Sequence, residues 1–180
     1  ILGDEGSGYN IGLKAMIASV RAYDVRGDKT VLMSKLANRL KLTTMDELIE
    51  RIYIDRMERH EIAALMPMVI EAAKEGDKVA RNILREAGKE LGLAAAAVIK
   101  GLNMENESFD VATVGGVFNS SELILNPFKK VVMKTAPKCR IVSPRFEPVI
   151  GAVLMALREI GVEIDNKLVE SIKATLTNIQ

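Results

Sequence analysis

Two carboxylates, Asp4 and Glu5, stand among glycines in the run GDEGSGYNIG, at the front edge of a pattern with helical period. Four glycines in ten residues let a backbone come close to a ligand, and a carboxylate offers acceptors to paired hydroxyls. Asp4 is therefore a candidate for holding a polyol such as a sugar. The same residues also suit a plain helix start, because acidic groups favour a helix N-terminus and glycine serves turns.

A second glycine cluster lies in DVATVGGVFNS. Asp110–Val114 reads as a short buried strand, Gly115 and Gly116 as a tight turn, and NSSE, residues 119–122, as a helix start, with Asn119 and Glu122 at capping-box spacing. A glycine turn between the carboxyl end of a strand and a helix is where open α/β sheets bind ligands, and two missing side chains let a flat nucleotide lie against the backbone. No GK[ST] follows, so this is not a Walker loop, and the third glycine of a dinucleotide fingerprint is absent.

Other residues carry less chemistry. PRFEPVIGAVLMAL reads as a buried helix with a close-packed Gly151 and Pro148 near its first turn, and Arg145 and Glu147 are expected to cap or pair nearby. His60, in RMERHEIAAL, has no metal-ligand partner at i+4 and reads as solvated. Cys139 falls in a predicted strand and reads as a small buried hydrophobe. The chain shows neither a Ser/His/Asp set nor a carboxylate pair at credible spacing.

Helices and a few strands must position these residues. Gly8–Tyr23 places Ile11, Ala15, Ala18, Val20 and Ala22 near one face of an amphipathic helix. Shorter helices follow over 29–41 and 43–53, the latter with Thr44 and Glu47 at capping-box spacing. The apolar period runs on through Pro67, which starts or kinks a helix, to a stop and restart at Gly76 and Asp77. The longest helix spans Asp77 to about Leu102, and the small residues of GKELGLAAAAVIKGL allow another element to approach it closely. A second strand is predicted at about Cys139–Val142, and a last helix at 166–175. Alternation of strand and helix implies an α/β architecture with parallel strands in which helices dominate.

At 180 residues and 48% apolar content the chain can bury a sizeable core. Twenty-five basic against 24 acidic residues create no field that favours nucleic acid or an anionic membrane. One cysteine excludes an intramolecular disulfide framework, and a reducing cytoplasm is the plain reading. No apolar stretch has bilayer length and no targeting segment is read. Because the chain starts on Ile1 rather than Met, the natural protein is expected to extend upstream.

Taken in order, GDEGSGYNIG, AAKEGDKVARNILREAGKELG, VGGVFNS and PRFEPVIGAVLMAL resemble the C-terminal half of the N-acetylglucosamine kinase family and its BadF-BadG-type ATPase relatives. That group includes archaeal ATP-dependent hexokinases and the ATPase activators of benzoyl-CoA reductase and 2-hydroxyacyl-CoA dehydratase, all within the sugar kinase, heat-shock and actin superfamily. The resemblance runs to about Gly161.

The resemblance implies a two-domain protein with an ATP cleft between ribonuclease-H-like (actin-like ATPase) halves, residues 1–180 forming the C-terminal domain and the N-terminal domain lying outside this chain. It implies ATP and Mg²⁺ as cofactors and a hexose or amino sugar as substrate. By position, Asp4 resembles the residue that hydrogen-bonds sugar hydroxyls, Gly8 lies where the backbone borders that sugar, and Glu5 is a weaker candidate for the same pocket. Gly115 and Gly116 match the adenosine motif, with Val117 and Asn119 near base and ribose. Both phosphate loops and the general base are expected upstream of Ile1. A lone Cys139 argues against the activator branch, which carries cysteines for an iron-sulfur cluster; a non-catalytic nucleotide-binding module is the other alternative. Half of a two-domain protein exposes apolar surface that can self-associate, so a homodimer is one expected state.

Overall fold

In a computed structural model that describes residues 3–177, one carboxylate ties the start of the longest helix to the segment at residues 30–31. Asp77 Oδ1 accepts the Ala80 N–H at 2.8 Å and so caps the longest helix, while Oδ2 accepts the Val31 N–H at 2.8 Å and the Thr30 hydroxyl at 2.9 Å. The elements in chain order are α1 (Gly8–Tyr23), α2 (Leu32–Leu40), α3 (Glu47–Tyr53), α4 (Arg59–Ala63), α5 (Met66–Lys74), α6 (Lys78–Gly101), β1 (Asp110–Ala112), α7 (Gly116–Ser120), α8 (Glu122–Thr135), β2 (Arg140–Val142), α9 (Pro148–Glu159) and α10 (Asn166–Thr177). The chain forms a helix-dominated α/β arrangement of two units. The first comprises residues up to Val111 together with Gly115–Ile141, and the second Ala112–Val114 with the residues from Val142 onward. Among the described residues no helix is long and apolar enough to cross a membrane.

The first unit has two apolar cores. Ile11, Leu36, Leu48, Val69 and Leu84 centre the larger, which joins α1, α2, α3, α5 and α6; Ile99, Phe128, Val132 and Cys139 centre the smaller, under α6 and α8. Glycines set the approach distances. A Cβ on Gly88 would lie 2.0 Å from the Ile124 carbonyl oxygen, and one on Gly92 would lie 2.8 Å from Val131 Cβ, so α6 and α8 meet backbone to backbone. A Cβ on Gly12 would lie 2.1 Å from the Ile62 carbonyl oxygen, which brings α4 against α1 in the same way.

The helix limits follow local chemistry. Pro67 stands in the first turn of α5 and Pro148 in that of α9, where a missing N–H costs no hydrogen bond. Several expected details differ. The buried face of α1 is Ile11, Gly12, Ala15, Met16 and Ser19 rather than one running to Ala22, because α2, α4, α5 and α6 gather on that side; the Ser19 hydroxyl donates to the Ala15 carbonyl at 2.8 Å. Thr44 makes no capping box with Glu47: the Glu47 carboxylate instead accepts the Thr43 N–H at 2.9 Å. Asn119 lies inside α7, and Ser121 caps α8 by accepting the Leu123 N–H at 3.2 Å. Cys139 is buried as expected but immediately precedes β2.

β1 and β2 pair in a two-stranded sheet. The Arg140 N–H donates to the Phe109 carbonyl at 2.8 Å and the Thr113 N–H to the Val142 carbonyl at 3.1 Å, so the register advances along both strands together and the pair is parallel. The expected burial of β1 is not seen. Asp110 and Ala112 are exposed, because no further strand flanks the pair among the described residues, and Asp110 pairs with Arg140 at 2.8 Å on that open face.

In the second unit α9 ends in a left-handed glycine cap. Gly161 has φ +83°, the Val162 N–H reaches the Leu157 carbonyl and the Gly161 N–H the Arg158 carbonyl, each at 3.0 Å. The burial expected of α9 around Gly151 is not seen: none of its residues is buried and nothing lies within 4 Å of a Cβ placed on Gly151. The Glu147 side chain makes no cap bond to α9.

Gly88→Ala is expected to lower the thermal midpoint by several degrees, since the added methyl forces backbones apart at a cost of about 1–3 kcal/mol, whereas Gly151→Ala leaves it unchanged or higher. Thermal unfolding of both variants checks this. At the end of α1 the opposite applies: Val25 is 89% exposed yet holds φ +59°, a conformation that penalises β-branched residues. Val25→Gly is expected to raise the midpoint, reflecting relief of about 1 kcal/mol, and calorimetry of that variant reads it.

Candidate functional site

The acidic loop ahead of α1 is a defined turn. The Ser7 N–H donates to the Asp4 carbonyl at 3.1 Å, and Gly6, third of the four residues, takes φ +82°, as a type II turn requires. Ser7 then caps α1 by accepting the Asn10 N–H on its hydroxyl at 3.1 Å. Gly6 is buried, and a Cβ on it would meet the Ala87 carbonyl and Leu91 at 2.6 Å. The turn therefore sits directly on α6.

This geometry leaves Glu5 exposed and Asp4 partly covered, its side chain 24% exposed. At Gly8, the first position of α1, an added Cβ would stand in ordinary contact with Met66 and Ala63. The sequence reading missed the residue that meets Asp4. Arg59, first in α4, places Nη2 2.5 Å from Asp4 Oδ2 and Cζ 4.7 Å from the centre of the Tyr9 ring. His60 is exposed, as its solvated reading expects, but its neighbour Arg59 reaches back 55 residues. The local signal was Glu61, whose carboxylate accepts the Glu58 N–H at 2.8 Å and fixes the start of α4.

The second candidate turn has a different character. Gly115 caps α7 with φ +106° and ψ 158°, and neither it nor Gly116 has any atom within 4 Å of an added Cβ. Asn119 is exposed beside them. Val117 is half-buried and packs on the larger core, while Phe118 meets Phe128 edge to face at 4.9 Å. Both turns belong to the first unit, yet no hydrogen bond or ion pair joins them among the described residues.

Elsewhere, a groove of about 1160 Å³ between α6 and α8 is rimmed by Arg85, Lys89, Lys130 and Lys134 over Leu93 and Val131, and none of the seven predicted site residues lines it. Lys35 lies away from both turns. Its ammonium is held above the usual lysine range, first by its hydrogen bond to Glu75 and further by Glu71. Among the described residues no group of three or more His, Cys, Asp or Glu could hold a metal ion.

The chain is 40% identical over 159 residues to the N-acetylmuramic acid/N-acetylglucosamine kinase of Clostridium acetobutylicum, a match covering 88% of this chain and 52% of that protein. It is 32% identical over 159 residues to the N-acetyl-D-glucosamine kinase of Dictyostelium discoideum, covering 87% and 50%. The chain thus spans about half the length of these curated relatives. A crystal structure described as a candidate N-acetylglucosamine kinase from Chromobacterium violaceum shares the fold, with a TM-score of 0.64 and 24% identity over 86% of this chain and 48% of that one. Residues 1–156, which include both glycine turns and Arg59, match the BadF/BadG/BcrA/BcrD ATPase family, and the chain belongs to that family.

Proposed function

We propose that the protein transfers a phosphoryl group from ATP to a hydroxyl of a hexose or amino sugar, with N-acetylated amino sugars the first substrates to test. The observation that carries this reading is the Asp4 turn. Its carboxylate has Oδ2 engaged by Arg59, while no protein donor reaches Oδ1 among the described residues, and it sits within a chain 40% identical to a kinase of such sugars. An anchored carboxylate with one free oxygen suits a sugar hydroxyl, which donates to it while the neighbouring backbone excludes water.

In this reading residues 1–180 form the C-terminal, ribonuclease-H-like domain of a two-domain ATPase. Asp4 orients the sugar, the backbone at Gly8 borders it, and Glu5 stands at the pocket's exposed edge. Gly115 and Gly116 receive the adenosine. The open space where their Cβ atoms would project fits a flat group lying on the backbone, with Asn119 exposed beside it and Val117 anchoring the turn to the core. ATP, when bound, would supply the transferable group, and Mg²⁺ would neutralise the charge that develops on its phosphates. No residue of this chain is assigned as the general base that takes the sugar's proton. The substrate in this reading is a small-molecule sugar.

The experiment is ADP release by the full-length protein with MgATP across N-acetylglucosamine, N-acetylmuramic acid, glucose, mannose and a blank without sugar. Release that depends on a sugar is the expected outcome; release indifferent to every sugar would favour an uncoupled ATPase and overturn the reading. Asp4→Asn is expected to raise the KM for sugar by roughly tenfold to a hundredfold, as loss of a charged hydrogen bond implies, and to leave the KM for MgATP near its original value. Gly115→Ala should do the reverse, because a Cβ at φ +106° is strained and enters the proposed adenosine space; titration with MgATP checks it.

A further inference from the structure

We propose that Arg59 is a positioning residue of the sugar site: it holds one oxygen of Asp4 so that the other is presented, already oriented, to the substrate. The inference rests on the sugar-kinase reading and goes beyond it, since Arg59 lies in a segment that carries no recognisable motif.

Three independent features place the guanidinium. α4 arrives against α1 because Gly12 admits the Ile62 carbonyl where any side chain would exclude it. The first turn of α4 is fixed by the bond from the Glu58 N–H to Glu61, which sets where Arg59 leaves the helix. The Tyr9 ring then stacks under the guanidinium at 4.7 Å and limits the orientations open to a long side chain. What Arg59 meets at the end of this path is Asp4 Oδ2; among the described residues Asp4 is otherwise tied through its backbone carbonyl, to Ser7.

The alternative is an ordinary surface ion pair. The Arg59 side chain is 56% exposed, and pairs of that kind contribute little to stability. A stack and an ion pair converging on a partly covered carboxylate therefore matter more for orientation than for folding. Pre-orienting an acceptor removes rotamer freedom that sugar binding would otherwise have to remove, so loss of Arg59 should appear in sugar affinity while the fold and the nucleotide site stay as they are.

The test is a double-mutant cycle in the full-length protein, with Asp4→Asn, Arg59→Ala and the pair, read as KM and kcat for the best sugar, KM for MgATP and thermal midpoint. Arg59→Ala is expected to raise the sugar KM about tenfold, with a MgATP KM within twofold of wild type and a midpoint within a few degrees. Added to Asp4→Asn it should change the sugar KM by less than twofold, because the carboxylate it positions is gone. Arg59→Lys keeps the charge but loses the planar stack, and should restore part of the affinity; it also serves if the alanine variant folds poorly. A sugar KM unmoved by Arg59→Ala, or raised by the same factor in the Asp4→Asn background, overturns the inference while leaving the kinase reading intact. Wild-type protein that releases no ADP in response to any sugar overturns the kinase reading, and this inference with it.

Discussion

Contact between backbones at glycine is the constraint on which the rest of the first unit depends. Gly88 against Ile124 and Gly12 against Ile62 leave no room for even a methyl group, and each contact determines where a whole helix lies. α8 approaches α6 through the first, continued one turn on at Gly92, and the smaller core of Ile99, Phe128 and Val132 forms in the seam that results. α4 packs against α1 at the second. Interiors pack at near-crystalline density, so a displacement of an ångström at such a point cannot be absorbed by neighbouring side chains and must move the helix.

The candidate sugar site inherits this constraint. Its turn is pressed onto α6 by the buried Gly6, and its ionic partner arrives on the helix that Gly12 admits. Two close approaches, neither touching the carboxylate, therefore decide what surrounds Asp4. The energetics point the same way: the exposed ion pair adds little to folding, whereas the buried contacts that deliver it are costly to disturb. Geometry is fixed by the core and used at the surface.

The Gly115 turn follows another logic. Gly6, Gly12, Gly88 and Gly92 are each required by an atom of the protein itself, but Gly115 and Gly116 have open space where a side chain would stand. Gly115 is required by its φ of +106°, and Gly116 by neither an unusual φ nor a neighbour. An unfilled pair of glycines at the start of a helix whose following residues, Val117 and Phe118, pack against the two cores leaves a bare backbone surface there. That combination suits a flat ligand better than it suits a loop whose task is only to turn the chain.

Local order was legible in the sequence wherever one residue sufficed to set it. The limits of α1, the start of α5 at Pro67, the restart at Gly76 and Asp77 and the span of α6 follow from caps, prolines and period, because those interactions close within a few residues. Both glycine turns were visible for the same reason, and the order of motifs along the chain pointed to the family it belongs to. Caps with more than one local solution were misread: Glu47 chose Thr43 over Thr44, and Ser121 displaced Asn119. Burial was misread in β1 and α9, since period shows which face is apolar but not whether anything covers it. Only the tertiary structure could decide that Arg59 meets Asp4 and Tyr9, because these residues lie 55 and 50 positions apart and the chain between them must first fold into helices whose packing at Gly12 brings the charges within bonding distance.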